Sequence, residues 1–183
     1  MHTEAIQPYG EWRSPISAAL IATGSRPLAR PRMHGGDLYW LEGRAAEGGR
    51  MTLMRARPGQ APVECTPAPF NVRTRVHEYG GGAYLPFDGG VVFSHFADNR
   101  LYLLQDDAAT PLTAGDKLRH ADFTYDAARG RMICVREDHT HSDLQPVNTI
   151  CAVALDGGAQ TVLVEGADFH ASCRPSGDRR GAA

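Results

Sequence analysis

Features that mark a nucleic-acid or membrane surface are largely missing from this chain of 183 residues. Lys117 is the only lysine, and 21 acidic residues outnumber 19 basic ones, which gives a formal net charge of -2. A slightly acidic chain has no excess of positive charge with which to hold phosphate groups. We therefore expect neither a nucleic acid nor a membrane among its partners.

Long hydrophobic runs are missing as well. No apolar stretch approaches the roughly 20 residues that a membrane-spanning helix requires. Residues 1–5 do not show the charged start followed by an apolar segment that marks a signal peptide. These features predict a cytoplasmic protein.

Cysteine is scarce, and none of the four cysteines forms a CxxC pair. Cys134 and Cys151 lie in two apolar runs that we expect to pair as neighbouring strands. In a cytoplasmic protein, two buried free thiols are the favoured interpretation. A disulfide or a metal pair is the alternative.

What the chain does contain is a repeated pattern of short apolar runs separated by turn residues. The second strand of each unit is predicted to begin near residues 38, 91 and 131, so the units recur after roughly 53 and 40 residues. Four antiparallel strands that recur every 40–50 residues or so are typical of β-propeller blades. The strands predicted for the first unit are residues 37–41, residues 51–55 and a weaker strand near residues 63–66.

Several of these runs are apolar on consecutive residues, as at 91–93 and 132–135. A strand with one wet face would alternate instead, so continuous runs indicate that both faces of the sheet are covered. Stacked blades provide such cover. A jelly roll or β-sandwich is the structural alternative, and it explains the repeat less readily.

A short helix is predicted ahead of the strands. Ser14 followed by Pro15 is typical of a helix N-cap with proline in the first turn, and Gly24 marks the end. The predicted organisation is an N-terminal segment with a short helix over residues 1–30, a partial propeller over 31–170 and an irregular tail over 171–183.

One stretch, residues 71–84, is chemically unusual. It contains Arg73, Arg75, the triplet His77-Glu78-Tyr79 and three consecutive glycines. Three glycines in a row contribute no side chain and cost backbone entropy. We expect them where the backbone turns sharply or runs close against another part of the chain, just before a strand.

Residues 73–82, together with residues 9–16 and 35–44, resemble the N-terminal β-propeller of prolyl oligopeptidase family (S9) serine peptidases. The most similar group is that of the dipeptidyl aminopeptidases and acylaminoacyl peptidases, and the resemblance runs from about Tyr9 to about His170. It implies an all-β fold, an incomplete propeller of about three four-stranded antiparallel blades. It also implies that the complete protein cleaves short peptides, with the propeller gating their access to the active site.

The resemblance assigns no catalytic residue to this chain. In the family, the nucleophile is a serine on a Gly-x-Ser-x-Gly elbow in an α/β-hydrolase domain that follows the propeller. No serine of this chain lies in such an elbow. We therefore expect no peptidase activity from the chain alone, and no cofactor. The polar ending after His170 is interpreted as premature termination or a frameshift.

Arg73, Arg75, His77, Glu78 and Tyr79 are the candidate site residues. In the structural interpretation, Arg73, Arg75 and Glu78 form ion pairs that hold the start of the second blade. In the functional interpretation, some of these side chains line the path of the peptide. Acid–base chemistry by His77 and Glu78 is disfavoured because adjacent residues on a strand point to opposite faces.

Residues 137–143 contain two histidines and three carboxylates. His139 and His141 could lie on one side of an extended segment and bind a metal. A solvated loop is favoured, because the segment connects two strands and Pro146 follows it. We expect no metal.

Two more interpretations stay open: a non-enzymatic protein-interaction module, and the decayed product of a gene without function. In either case three blades cannot close a ring, so blade faces stay exposed. We expect the isolated chain to self-associate.

Overall fold

The computed structural model describes residues 8–11 and 14–175. Three sequence-based interpretations lie wholly or partly outside these residues. They concern the start at residues 1–5, the part of the opening motif at residues 12–13, and the part of the tail at residues 176–183.

Three separate four-stranded antiparallel sheets make up most of the described chain. Blade 1 comprises β1 (Leu28–His34), β2 (Asp37–Arg44), β3 (Arg50–Ala56) and β4 (Val63–Glu64). Blade 2 comprises β5 (Tyr84–Phe87), β6 (Gly90–Ser94), β7 (Leu101–Gln105) and β8 (Ala108–Pro111). Blade 3 comprises β9 (Leu118–Asp126), β10 (Arg131–Asp138), β11 (Val147–Ala154) and β12 (Gln160–Val164). A 3-10 helix, Ala45–Glu47, joins β2 to β3.

Within each sheet the strands follow one another in chain order. The first strands of the blades come together, since β5 contacts both β1 and β9. They line a cavity of about 340 Å³, into which Arg32, Leu85 and Phe123 face. The predicted incomplete propeller of three blades is confirmed, and the β6 and β10 hairpins lie in different sheets, as stacked blades require.

Strand β6 shows why the apolar runs are continuous. Val91 and Phe93 pack into a cluster with Tyr39, Leu41 and other residues of blade 1. Val92, between them, belongs to a second cluster with residues of blade 3 such as Met132. Successive side chains of a strand point to opposite faces, so both faces of blade 2 are buried against a neighbour. Burial of each such side chain contributes about 1.5–3 kcal/mol.

The first strand of blade 1 was missed in the sequence. β1 begins at Leu28, ahead of the predicted start of the propeller at residue 31, and it contains Pro31. Its register with β2 shifts between Ala29 and Arg32, where Arg30 has a φ of 55°. Proline is tolerated at a bulge of a strand that has a partner on one side only. The irregular pairing hides the period of two on which strand prediction depends.

The predicted short N-terminal helix is present as α1 (Ala18–Gly24), but its predicted cap is wrong. Ser17 is the N-cap, and its Oγ accepts a hydrogen bond from the Leu20 N–H at 3.0 Å. The Ser14 hydroxyl instead accepts from Ile16 N–H in the preceding turn. No helix in the described residues is long and apolar enough to cross a membrane.

Cys134 and Cys151 lie directly opposite each other on β10 and β11, which confirms the predicted pairing of these strands. Both are buried free thiols, with 3.5 Å between the sulfur atoms. The hydrogen bond with Cys151 and the burial of the site raise the pKa of the Cys134 thiol.

The chain after β12 folds back onto the outer face of blade 3. Cys173 is buried against Ile133 and Ile150. Its carbonyl accepts a hydrogen bond from the Thr124 hydroxyl on β9 at 2.8 Å. The described part of the predicted tail therefore covers some of the face that a further blade would otherwise cover.

His120, on β9, makes the stability of the fold depend on pH. Its ring is buried, with Nε2 at 3.1 Å from Gln160 Oε1, and burial lowers its pKa from 6.5 to about 4. The unfolded chain binds a proton near pH 6.5 and the folded chain does not until about pH 4. The free energy of unfolding is therefore independent of His120 protonation above pH 6.5, and it decreases as the pH falls from 6.5 towards 4.

We predict that His120 contributes up to about 2 kcal/mol to the loss of unfolding free energy between pH 7 and pH 5. Urea unfolding at both pH values measures this loss. His120→Gln is expected to reduce it, whereas His141→Gln, at an exposed histidine, is expected to leave it unchanged. Equal losses in the wild type and His120→Gln would contradict the assignment.

Candidate functional site

The chemically unusual stretch, residues 71–84, lies at one end of the three blades. We call this end the connection face. It carries the chain between blades 1 and 2, residues 65–83, and the turns at residues 95–100 and 139–146. Strand pairing places them together, because the start of β5 pairs with the end of β6, and the start of β9 pairs with the end of β10. Strand pairing thus fixes the backbone around the site.

Residues 71–83 hydrogen-bond to all three blades. The Val72 N–H donates to Met51 O of blade 1 at 2.8 Å, and the Arg73 N–H donates to Ser94 O of blade 2 at 3.2 Å. The Asp122 N–H of blade 3 donates in turn to Gly82 O at 2.9 Å. This single segment is therefore hydrogen-bonded to one strand of each blade.

The glycines are required by the approach to blade 3. The Gly82 N–H donates to Asp122 Oδ1 at 2.7 Å. A Cβ at Gly81 would lie 2.8 Å from Ala121 Cβ, and one at Gly82 would lie 2.9 Å from Asp122 Oδ1. The expected close approach of the backbone before a strand is confirmed, since β5 begins at Tyr84.

His77 and Glu78 lie in a left-handed turn, and not on a strand as assumed from the sequence. Their φ angles are 55° and 63°, and the Gly80 N–H closes the turn by donating to Val76 O at 2.9 Å. Left-handed backbone costs roughly 1 kcal/mol or more at each non-glycine residue. The surrounding contacts must offset this cost.

Glu137 supplies the main contacts that hold the turn. Its carboxylate is only 3% exposed, and Oε1 accepts a hydrogen bond from the His77 N–H at 2.6 Å. His77 Nδ1 lies 3.2 Å from the same oxygen, without hydrogen-bond geometry. His139 Nε2 hydrogen-bonds to Oε2 at 3.2 Å, and Arg119 lies 3.7 Å from that oxygen. The prediction of a solvated loop is therefore wrong for Glu137 and His139, whose side chains are buried.

Arg119 connects the turn to β9. It donates to the Arg75 carbonyl at 3.2 Å and forms a salt bridge with Glu78. The hydrogen bond from Arg119 lowers the pKa of Glu78. The predicted ion pairs of Arg73 and Arg75 with Glu78 are thus replaced by a pair between Glu78 and Arg119.

Arg73 and Arg75 both lie over the ring of Phe96, at 4.8 and 4.2 Å from its centroid. Neither forms a salt bridge within the described part of the chain. Arg73 is exposed and Arg75 is half-buried. These cations therefore face solvent from an aromatic support.

Tyr79 is 81% exposed. Its ring centroid lies 5.7 Å from that of His77, which also contacts Phe169 at 5.0 Å. His77 Nε2 lies 3.3 Å from the His170 carbonyl. The chain after blade 3 thus packs beside the turn and leaves Tyr79 accessible.

The arrangement provides positive charge and hydrogen-bond donors, but no serine hydroxyl is hydrogen-bonded to a histidine ring within the described residues. His139 is buried and His141 is exposed, so the two do not converge as the metal hypothesis required. No group of three or more His, Cys, Asp or Glu residues that could hold a metal occurs among residues 8–11 and 14–175. Glu137 could have been singled out from its spacing, because Ile133, Val135 and Glu137 share one face of β10.

Solved structures show which known proteins the chain is similar to. The chain is similar to a puromycin-hydrolysing peptidase from Mycobacterium tuberculosis, with 40% identity, a TM-score of 0.81 and 96% of this chain covered. It is also similar to a puromycin hydrolase, with 38% identity, a TM-score of 0.81 and 98% coverage. A variant puromycin hydrolase complexed with PGG gives 37% identity, a TM-score of 0.82 and 96% coverage.

The matched region makes up 30% of each of these solved chains. No protein-family model and no curated protein matches the chain. The structural neighbours confirm the resemblance to the N-terminal propeller portion of S9 serine peptidases.

We predict that Glu137→Gln lowers the free energy of unfolding by about 1–3 kcal/mol, because it removes the buried charge that accepts the His77 N–H. Glu78→Gln removes a carboxylate that is 75% exposed, so we expect a loss of less than about 1 kcal/mol. Urea unfolding at pH 7 compares the two variants. A larger loss for Glu78→Gln would show that the buried carboxylate does not hold the turn.

Proposed function

We propose that this chain forms the part of an S9 peptidase that shields the active site and admits short peptides to it. The observation that carries the proposal is the similarity, at 37–40% identity over 96–98% of the chain, to puromycin-hydrolysing peptidases. The catalytic chemistry would come from a hydrolase domain, since no Gly-x-Ser-x-Gly elbow occurs in the sequence.

The connection face has properties suited to this role. Arg73, Glu78 and Tyr79 are exposed there, on a backbone that is bonded to all three blades. A rigid backbone with exposed polar and aromatic groups can bind peptides without a large entropic cost. We infer that these three side chains line the path of the peptide, and that His77 and the backbone of Arg75, whose carbonyl accepts from Arg119, hold the segment in place.

Short peptides are the proposed substrates of the complete protein, with release of dipeptides or acylated amino acids. The names of the structural neighbours include puromycin, so puromycin is the first compound to test. We also propose a cytoplasmic location. Support comes from Cys134 and Cys151, whose buried free thiols are typical of proteins in a reducing compartment.

A chimera tests the proposed function. The chain would replace the matching 30% of the Mycobacterium tuberculosis peptidase, and hydrolysis of puromycin, of a dipeptide and of a long unstructured polypeptide would be measured. We expect the chimera to cleave the two small substrates and to spare the polypeptide, as a shielding domain requires. The 183-residue chain alone is expected to cleave none of them.

The matched controls are the parent peptidase and the parent peptidase from which the matching 30% has been deleted. A folded chimera that cleaves the polypeptide as fast as the dipeptide would contradict gating. A folded chimera without activity on either small substrate would contradict the assignment of this chain to such an enzyme.

The isolated chain is further proposed to self-associate through the outer face of blade 1. Leu28, Met33 and Leu38 are exposed on that face. We expect sedimentation velocity to show a concentration-dependent increase in mass, which Met33→Lys reduces. A monomer at all concentrations would contradict self-association.

A further inference from the structure

The two arginines over Phe96 differ from most other arginines of the protein. Ten arginines in the described residues form salt bridges with carboxylates, and the pairs extend across all three blades. Arg73 and Arg75 form none with any residue of that part of the chain. Arg119, which touches the Arg75 carbonyl, is already paired with Glu78 and lies near Glu137. Two positive charges with no described carboxylate at salt-bridge distance therefore remain at this corner of the connection face.

The support beneath these arginines is fixed. The Phe96 N–H donates to Asn71 O at 2.9 Å, and the Asn71 N–H donates to His95 Nδ1 at 3.1 Å. The Asn71 side chain accepts from the Met51 N–H at 3.0 Å, which ties the same residue to blade 1. The backbones of Phe96 and Arg73 are thus tied to strands of blades 1 and 2.

The cation–π contacts hold the two guanidinium groups near the ring without using their N–H donors. A guanidinium over an aromatic face keeps its N–H groups in its own plane, where they match the two oxygens of a carboxylate. Two positive charges near one ring repel each other, and a nearby anion offsets that repulsion. The chain's net charge of -2 gives no support for a polyanion such as nucleic acid, which favours a small anionic group.

We propose that Arg73, Arg75 and Phe96 form a binding site for a carboxylate group of a peptide. This inference rests on the proposed function, in which the connection face meets peptides. The carboxylate could come from the C-terminus of the peptide or from an acidic side chain. Both sources offer the same planar anion, so the experiment must separate them.

The test uses the full chain of 183 residues and fluorescence anisotropy at low salt with three labelled alanine tetrapeptides. One has a free C-terminal carboxylate, one is C-terminally amidated, and one is amidated but carries a glutamate at its last position. We expect the free acid to bind about threefold to tenfold more tightly than the plain amide. The amidated glutamate peptide recovers the affinity if any carboxylate is accepted, and it binds like the plain amide if only the C-terminus is accepted.

The variants separate charge, geometry and folding. The double variant Arg73→Gln/Arg75→Gln is expected to abolish the difference between acid and amide. Arg73→Lys/Arg75→Lys keeps the charge and loses the planar fork, so the difference becomes smaller. Phe96→Leu removes the ring with a similar effect. Arg57→Gln is the matched control, because Arg57 is an exposed arginine between β3 and β4, at the opposite end of blade 1, and should leave binding unchanged.

Circular dichroism of each variant confirms that the blades are intact. If acid and amide bind equally well to the wild type, the carboxylate site is wrong while the peptide-lining role stands. If no peptide binds at all, the proposed function itself fails in this chain, and the carboxylate site fails with it. An unchanged preference for the acid in the double variant would place the site elsewhere.

Discussion

The structure depends on the burial of blade 2 on both of its faces. Its second strand, β6, has apolar side chains at consecutive positions because one set packs against blade 1 and the other against blade 3. An isolated four-stranded sheet with two apolar faces would not be stable in water. Blades 1 and 3 each have an outer face that no other described blade covers. Apolar side chains stay exposed on that face of blade 1, whereas on blade 3 a local segment substitutes for a neighbouring blade. On blade 3 the substitute is the segment around Cys173, which packs on Ile133 and Ile150.

Residues 71–83 impose a second constraint on the stacked blades. By bonding to all three blades in turn, residues 71–83 fix how the sheets are placed around the axis. The left-handed backbone at His77 and Glu78 is unfavourable by itself, and it is offset by the buried Glu137 carboxylate and by Arg119. Because these buried contacts hold the left-handed backbone in place, the surface of the segment is rigid. In the proposed function this surface presents Arg73 and Tyr79 to a peptide, so the structural interpretation of the segment is compatible with the proposed functional one.

The architecture could be predicted from the sequence because propeller blades leave a strong local pattern. Continuous apolar runs such as Val91 to Phe93, spaced by glycine turns, are typical of strands covered on both faces, and the strand pairing of Cys134 with Cys151 followed from the same pattern. The strand β1 escaped prediction because Pro31 and a bulge interrupt its period. The site was harder to predict. Glu137 and Arg119 lie far from His77 in the chain, and only the folded stack brings their side chains together.

Native-state hydrogen exchange at the β6 amides would show whether blade 2 is enclosed on both faces. If the blades are stacked face to face, the amides of Val91 and Val92 should exchange only through global unfolding, with the same free energy that urea unfolding gives. Amides of β8 and β12, at the outer edges of their sheets, should exchange through smaller local openings. Exchange of the β6 amides as fast as those of the edge strands would rule out the stacked arrangement, because it would show that blade 2 is open to solvent.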